Sequence, residues 1–261
     1  MLQFLSATGL APPKLNLSLM IAYDEVKIMA RIDKKYLSPT AIIDSDHPKV
    51  VQFARETIGD GSREHLDMAI KLYYAVRDGI RYDPYYPFYL PEHYRASNIL
   101  KSGRGYCVCK ASLLCAVGRA SGIPTRVGFA TVRNHLATKQ LLEYFGTDIF
   151  VYHAFTEFYI EGKWVKSTPA FNKELCEKHN VIPLEFNGRE DSIFQAYNQD
   201  KKKFMEYTEF YGSYADIPVD AIVEAFEKQH GKDRVRQWIS DFEKSHGTSD
   251  RDFDSEEVFS G

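Results

Sequence analysis

The sequence has few cysteines and no long hydrophobic run. Its four cysteines, among 261 residues, stand at positions 107, 109, 115 and 176. So few thiols in a chain of this length argue against a fold built on disulfides, and residues 107 and 109 are too close for an ordinary bridge. We therefore expect reduced thiols and a cytoplasmic location.

An excess of one charge is also lacking. The 33 basic and 36 acidic residues are interspersed and leave a net charge of −3, so nothing in the charge pattern predicts binding to nucleic acid or to an anionic membrane. Apolar stretches near the N-terminus are interrupted by Pro12, Pro13 and Lys14. We predict neither a signal peptide nor a membrane-spanning helix.

Hydrophobic residues nevertheless make up 44 % of the chain, including 17 tyrosines and 17 phenylalanines, which is enough for a substantial core. Helical spacing of apolar residues is followed along the chain by strand-like alternation, an order typical of the α+β class. The predicted helices cover about 48–58, 62–77 and 107–121, with one or two more over 221–243. Strands are predicted at about 125–132, 149–160 and 163–167, and residues 15–32 are expected to form one or two strands or an extended arm.

The predicted boundaries rest on turn and cap residues. Ser45 or Asp46 is expected to cap the first helix ahead of Pro48, and Glu161-Gly162 is expected to form a tight hairpin turn. Small, polar and charged residues dominate from Ser245 onward. We predict one domain over residues 1–245 and a flexible polar tail over 246–261.

The most informative segment runs from Gly103 to Cys115, where a glycine-bearing loop delivers Cys107 to the first turn of a buried helix. A thiol in that position faces unpaired backbone N–H groups and the positive end of the helix dipole, which favours the nucleophilic thiolate. Cys109 is rotated by some 200° from Cys107 around the helix, and Cys115 follows about two turns later as a small buried apolar residue.

A second chemically useful residue is His153, in the strand that begins at Ile149. Alternation places Val151, His153, Phe155 and Glu157 on one face of that strand. An imidazole that faces a thiol at a helix N-terminus is the arrangement that cysteine hydrolases and acyltransferases need, because the histidine takes the thiol proton and then gives it to the leaving group.

These residues stand in motifs that resemble the transglutaminase-like superfamily, from about Ser97 to Asn172. The motifs are Gly105-Tyr-Cys107, Arg119-Ala-Ser-Gly122-Ile-Pro-Thr-Arg126, His153-Ala-Phe-Thr-Glu157 and Gly162-Lys-Trp164. The earlier segment Val76-Arg-Asp-Gly-Ile-Arg-Tyr82 also resembles the family's helix that ends before the cysteine loop. The resemblance implies a papain-like core over about 62–172, in which the cysteine helix packs on an antiparallel sheet, with extra helices towards both ends of the chain. It also implies Cys107, not Cys109, as nucleophile and His153 as base.

One position departs from the pattern of the superfamily. The family usually has an aspartate four residues after the tryptophan, followed by proline, whereas this chain has Thr168 before Pro169. A threonine hydroxyl can orient an imidazole but brings no charge to stabilise imidazolium. Thr168 is therefore the candidate orienting residue, with Asn172 and Glu157 as alternatives.

The oxyanion of an acyl-transfer reaction needs two donors. The backbone N–H of Cys107 is one, and Tyr82, Tyr106 or the loop from Asp83 to Tyr94 offers the second. The sequence does not choose among these, and for any single tyrosine ordinary packing is the simpler interpretation.

Zinc binding is an alternative that the sequence leaves open, because Cys107, Cys109, Cys176 and His179 are zinc-type ligands. The two pairs are far apart in the chain, and Cys107 and Cys109 diverge within a helix. We expect no bound metal and no cofactor.

We therefore predict a thiol enzyme that hydrolyses an amide or peptide bond through an acyl-thioester, with a peptide, a protein or another amide as substrate. Transfer to an amine, which would make the protein a cross-linking transglutaminase, stays open, although no calcium-binding loop is present. A catalytically inactive binding module is the alternative from another class, because Thr168 replaces the usual aspartate. The sequence does not predict the oligomeric state.

Overall fold

The computed structural model describes residues 33–61, 63–135, 137–196, 201, 203–245 and 251–256. The chain divides into two compact units, Met1–Asp33 and Lys34–Gly261. The predicted strand or arm at 15–32 and the predicted helix start at Ser62 lie outside the described residues. The predicted single domain over 1–245 therefore stays a prediction.

The second unit is a mixed α+β structure, as predicted. Its α-helices among the described residues are α1 (Pro48–Ile58), α2 (His65–Gly79), α3 (Ala96–Ser102), α4 (Cys107–Ala120), α5 (Lys139–Phe145), α6 (Lys173–Lys178), α7 (Val219–His230) and α8 (Lys232–Lys244). Short 3₁₀ helices occur at Lys34–Tyr36, Pro91–His93 and Phe253–Ser255.

The main sheet has four antiparallel strands in the order β5-β4-β3-β6. Its strands are β3 (Thr125–Asn134), β4 (Ile149–Ile160), β5 (Lys163–Ser167) and β6 (Met205–Tyr214). Two shorter strands, β1 (Arg81–Tyr82) and β2 (Arg104–Gly105), form a separate parallel pair just before the cysteine helix. The sequence did not predict β6, because its residues lack clear alternation.

Helix α4 is the buried centre of the fold. Thr156 of β4 donates a hydrogen bond to the Ala111 carbonyl (3.0 Å), and Thr125 of β3 donates one to the Cys115 carbonyl (2.9 Å). Gly118 lets the sheet approach closely, because a Cβ atom there would stand 2.6 Å from the Thr125 side chain. The hydroxyls on the sheet thus fix the depth at which the cysteine helix lies.

The only two charged side chains of α4 are both buried and both bind backbone carbonyls. Lys110 donates to the carbonyls of Arg77 (2.8 Å) and Ile80 (2.6 Å), where α2 ends. Arg119 donates to three carbonyls, including that of Thr125. Burial lowers the pKa of Lys110 well below its usual value. The Lys110 bonds satisfy backbone oxygens that the end of α2 leaves without partners.

Local signals explain the boundaries. Helix α1 begins at Pro48, but its cap is His47, whose Nδ1 accepts from the N–H of Lys49 (3.2 Å); the predicted cap at Ser45 or Asp46 is wrong by one or two residues. The β4–β5 hairpin turns through Glu161 and Gly162 with φ of 48° and 83°, values typical of the tight two-residue turn that was predicted.

Part of the predicted flexible tail packs against the domain. The Phe253 side chain is buried, and the buried carboxylate of Glu256 accepts hydrogen bonds from the hydroxyls of Tyr85 (2.7 Å) and Thr138. Residues 251–256 therefore differ from a free tail, since an aromatic ring and a carboxylate with two donors hold them in place. The polar composition of this segment predicted a tail, because Phe253 and Glu256 carry no local sequence signal of their burial.

Candidate active site

Cys107 occupies the first turn of α4, as predicted, and 8 % of its surface is exposed. Three backbone N–H groups, those of Cys107, Val108 and Ala154, lie within hydrogen-bonding reach of its sulfur and favour the thiolate. Burial outweighs them, so the pKa of the Cys107 thiol is raised to about 11. The expected acidification by the helix N-terminus is therefore wrong for the resting protein, because desolvation of the thiolate is the larger effect.

His153 follows a β-bulge in β4. Ala130 pairs with His153 and Val132 with Phe150, so two residues of β4, Val151 and Tyr152, oppose one residue of β3. Tyr152 has a φ of 53°, a left-handed conformation that is uncommon for a tyrosine. Bulges near active sites re-aim side chains, and this one interrupts the regular alternation that the sequence analysis assumed.

The set of residues that faces α4 also differs from the prediction. Thr156 bonds to α4, and Phe158 contacts Gly118 of that helix. Phe155, by contrast, covers Gly128 on the other side of the sheet, and Glu157 lies on that side too. The unbroken register from His153 to Glu157 puts His153 on the same side of the sheet as Phe155 and Glu157, so it does not belong to the set of residues that faces α4.

Cys107 and His153 nevertheless line the same cleft. The N–H of Ala154, the residue after His153, is one of the donors near the Cys107 sulfur, which places the histidine and cysteine backbones side by side. The imidazole is 5 % exposed, and its burial lowers its pKa to about 3. The resting pair at neutral pH is therefore a neutral thiol and a neutral imidazole.

The far side of the imidazole contains unpaired polar atoms. His153 Nε2, the Thr168 hydroxyl and the Tyr207 hydroxyl are buried and have no hydrogen-bond partner among the described residues. The His153 ring contacts the Tyr207 ring, with centroids 6.0 Å apart. The Thr168 hydroxyl lies near enough to that of Tyr207 to lower the pKa of the phenol, although burial has the larger effect and raises that pKa overall.

The position of Thr168 is fixed by hydrogen bonds of its backbone N–H and carbonyl groups. It directly follows the last paired residue of β5, Ser167, which pairs with Thr156. Its N–H donates to the Ser192 carbonyl (3.0 Å), and its own carbonyl accepts from the Tyr73 hydroxyl (3.2 Å). Continuing the strand register by one residue sets Thr168 diagonally across from His153, within reach of a side-chain contact.

The two alternative orienting residues are committed elsewhere. The Asn172 amide donates to the carbonyls of Arg77 (2.6 Å) and Ile80 (2.8 Å), and its oxygen accepts from the Tyr82 N–H (2.8 Å). Glu157 forms an ion pair with Arg126 (2.6 Å) and accepts from the Ser213 hydroxyl (2.5 Å). Both side chains are thus engaged by other partners, and an orienting role for either stays a prediction.

Both predicted oxyanion-donor tyrosines line the cleft, but their hydroxyls differ. Tyr106 donates its hydroxyl to that of Tyr94 (2.7 Å), which in turn bonds to the Phe88 carbonyl. Tyr82 lies near Cys107, and burial raises the pKa of its phenol well above the ordinary value, so it stays protonated. Tyr82 is thus the better placed of the two donors.

Tyr207 and Phe194, which surround His153, were not singled out from the sequence. Phe194 contacts the imidazole with ring centroids 5.3 Å apart. Both residues lie beyond the motifs, in a segment rich in aromatic residues, and no local signal distinguishes them from core packing.

The zinc alternative lacks its ligand set. Within the ranges that the structure describes, no three His, Cys, Asp or Glu side chains are grouped as metal ligands. Cys107 and Cys109 therefore do not meet Cys176 and His179. Among the same residues, no helix is both long and apolar enough to cross a membrane.

The arrangement of a cysteine at a helix N-terminus beside a histidine on an antiparallel sheet defines a papain-like class of fold. Residues 51–169 match the family model of the transglutaminase-like superfamily. Over this part of the chain, the match confirms the resemblance to the transglutaminase-like superfamily that the motifs predicted. The match supports a cysteine-dependent hydrolase or acyltransferase class.

Solved structures resemble the chain over about half its length. A proposed cysteine protease from Cytophaga hutchinsonii is 20 % identical, with a TM-score of 0.40, and the match covers 54 % of this chain and 44 % of that one. A proposed protease from Parabacteroides distasonis is 16 % identical, with a TM-score of 0.35, and the match covers 54 % of this chain and 26 % of that one. The arylamine N-acetyltransferase from Mycobacterium abscessus is 15 % identical, with a TM-score of 0.36, and the match covers 51 % of this chain and 46 % of that one.

The matched part thus spans less than half the length of each of these three proteins. No curated protein has significant sequence similarity to the chain.

Proposed function

We propose that the protein is a cysteine-dependent enzyme that hydrolyses an amide or peptide bond through an acyl-thioester on Cys107. The observation that carries the proposal is the meeting of Cys107 and His153 in one cleft, with the Ala154 N–H beside the sulfur. The superfamily match of residues 51–169 supports the same class.

The neutral resting pair sets the order of events in the proposed mechanism. As the Cys107 sulfur attacks the carbonyl carbon, its proton moves to His153, so no free thiolate has to exist beforehand. The carbonyl oxygen becomes an oxyanion, which the Cys107 N–H and the Tyr82 hydroxyl stabilise. When the C–N bond breaks, the imidazolium gives its proton to the leaving amine.

The second half of the reaction repeats the proton transfer. His153 removes a proton from water as the water oxygen attacks the thioester, and the Cys107 sulfur leaves with that proton. Thr168 orients the imidazole through both steps. If an amine took the place of water, the same steps would transfer the acyl group, and the protein would be a cross-linking transglutaminase.

The test is mass spectrometry of intact protein after brief incubation with libraries of peptides and simple amides. We expect an acyl mass increment on Cys107 that water discharges to a free acid. Cys107→Ala should abolish the increment, and Cys115→Ala, which alters a buried thiol two turns further along α4, should retain it. Adding a primary amine and finding an amide product would establish transfer in place of hydrolysis.

An inactive binding module is the second candidate, and one observation favours it: His153 Nε2 and the Thr168 hydroxyl lack partners, so no charge supports the imidazolium. Alkylation with iodoacetamide separates the two. An enzyme should show faster labelling of Cys107 than of Cys109, Cys115 or Cys176, and His153→Ala should slow it. Equal, slow labelling of all four would favour the module.

A further inference from the structure

The cleft beside Cys107 is walled mainly by aromatic rings. Its empty volume, including the part open to solvent, is about 890 Å³. Among the residues that the structure describes, no aspartate, glutamate, lysine or arginine side chain lines the cleft, and its polar lining residues include His230 and Asn134. Burial lowers the pKa of His230, so this side chain is neutral at pH 7.

Five of the thirteen Phe, Tyr and Trp residues that line the cleft come from beyond the family core. Phe226 of α7 and Trp238 and Phe242 of α8 line the cleft, as do Phe194 and Phe253. These rings pack against residues of the core and of α5 that also line the cleft. Trp238 stacks on Tyr144 with centroids 4.9 Å apart, and Phe226 lies 4.8 Å from Phe88. The wall is therefore already assembled.

Such a cleft discriminates strongly by charge. An apolar or aromatic group that enters it leaves water and gains burial. A charged group would lose its hydration and find no counter-charge on the lining, which is costly. The carbonyl carbon must lie at the Cys107 sulfur, so the group attached to that carbon is the one that meets the rings.

We propose that the enzyme acts on acyl donors that carry a large uncharged group, aromatic or branched aliphatic, next to the scissile carbonyl, and that α7 and α8 confer this specificity. The inference rests on the proposed function, since it assigns the substrate class of the same site.

The test uses N-acetyl-aminoacyl 4-methylcoumarin amides, which keep the leaving group constant. We expect kcat/KM for phenylalanine and leucine donors to exceed that for glutamate and lysine donors by at least about 100-fold. Phe226→Leu and Trp238→Phe should each raise KM for the phenylalanine donor by about 3- to 10-fold and leave iodoacetamide labelling of Cys107 unchanged. Phe210→Leu is the matched control, because Phe210 is 55 % exposed and lies outside the cleft.

Calorimetric binding to Cys107→Ala keeps the substrate class separate from the chemistry. N-acetyl-phenylalaninamide should bind and N-acetyl-glutamic acid amide should not. Binding of the phenylalanine ligand to Cys107→Ala without turnover of any donor by the wild type would refute the proposed function and leave the substrate class standing. Equal turnover of phenylalanine, glutamate and lysine donors would overturn the substrate class alone.

A different observation, the contact between the Tyr207 and His153 rings, carries a second inference. The Tyr207 hydroxyl, the Thr168 hydroxyl and His153 Nε2 are all buried and lack a hydrogen-bond partner among the described residues. Two neutral hydroxyls can orient an imidazole but cannot supply charge. We infer that Tyr207, on β6, is a positioning residue that acts together with Thr168 to hold His153.

Tyr207→Phe should lower kcat by about 10-fold with KM unchanged, and Thr168→Asp should restore the loss in that background, because a carboxylate holds and charges the imidazole. Thr168→Asp alone should move the acid limb of the kcat profile to higher pH. Tyr211→Phe removes a hydroxyl from the same strand that bonds instead to Thr131, and it should change neither value. A wild-type kcat in Tyr207→Phe, or no rescue by Thr168→Asp, would overturn the inference.

Discussion

The backbone N–H of Ala154 lies within hydrogen-bonding reach of the Cys107 sulfur. This contact joins the first turn of the cysteine helix to the strand that carries His153, one residue away. Cys107 and His153 are therefore linked through a backbone group of β4, and both line one cleft. Burial of both groups then decides their resting state.

The pH dependence of thiol reactivity should reflect that state. Because burial raises the pKa of Cys107 to about 11, the thiolate fraction at pH 7 is small and grows as pH rises. We expect the rate of Cys107 alkylation by iodoacetamide to increase about tenfold per pH unit from pH 6 to 9.

The measurement is peptide mass spectrometry of Cys107 at each pH, with Cys107→Ala to correct for the other thiols. A plateau that begins below pH 7 would contradict the neutral resting pair, since it is the signature of a thiolate–imidazolium pair.

The close approach of α4 and the sheet at Gly118 leads to a second prediction, which concerns stability. A Cβ atom there would stand 2.6 Å from Thr125 and 2.9 Å from Phe158. Gly118→Ala should therefore lower the free energy of unfolding by about 1–3 kcal/mol, because the core has to shift.

Gly79→Ala is the matched control, since a Cβ atom at this helical glycine meets nothing within 4 Å. It should be neutral or stabilising by up to about 1 kcal/mol. Urea unfolding of both variants measures the difference, and equal stabilities would show that the contact at Gly118 is not tight.

Motifs and local periodicity predicted the parts of the site that depend on short segments. Cys107, its helix, His153 and the β4–β5 hairpin follow from glycine positions, caps and alternation within a few residues. The bulge at Tyr152 did not follow, because it arises from pairing with β3 and leaves no pattern of its own. The raised pKa of Cys107 likewise depends on burial by distant segments, and Tyr207 and the part of the aromatic wall that α7 and α8 supply come from elements beyond the motifs.

The low pKa of His153 predicts how stability depends on acid. Burial lowers this pKa from 6.5 to about 3, so between those values the unfolded chain binds a proton that the folded chain does not. Stability is therefore lost as pH falls below 6.5, by up to about 1.4 kcal/mol per pH unit for this group. Other buried histidines with lowered pKa, such as His179 and His230, contribute in the same direction.

Replacing the His153 imidazole with a group that does not titrate should remove the contribution of His153 to this loss of stability in acid. We expect the free energy of unfolding of His153→Gln to change less between pH 7.5 and pH 5 than that of the wild type, as measured by urea titration at both values. His47→Gln is the control, because His47 caps α1 at the surface. An identical pH dependence for wild type and His153→Gln would mean that His153 titrates in the folded protein as it does in the unfolded chain.

A variant of Asn172 tests whether this residue has a structural role or orients His153. Its amide group holds the carbonyls of Arg77 and Ile80 and the Tyr82 N–H, three backbone groups at the end of α2. Asn172→Ala leaves them short of partners and should lower the free energy of unfolding by about 2–4 kcal/mol. In the folded fraction, determined by circular dichroism, the pH profile of turnover should match the wild type. An altered profile with wild-type stability would instead assign the orienting role to Asn172, and the hydroxyls of Thr168 and Tyr207 would lose it.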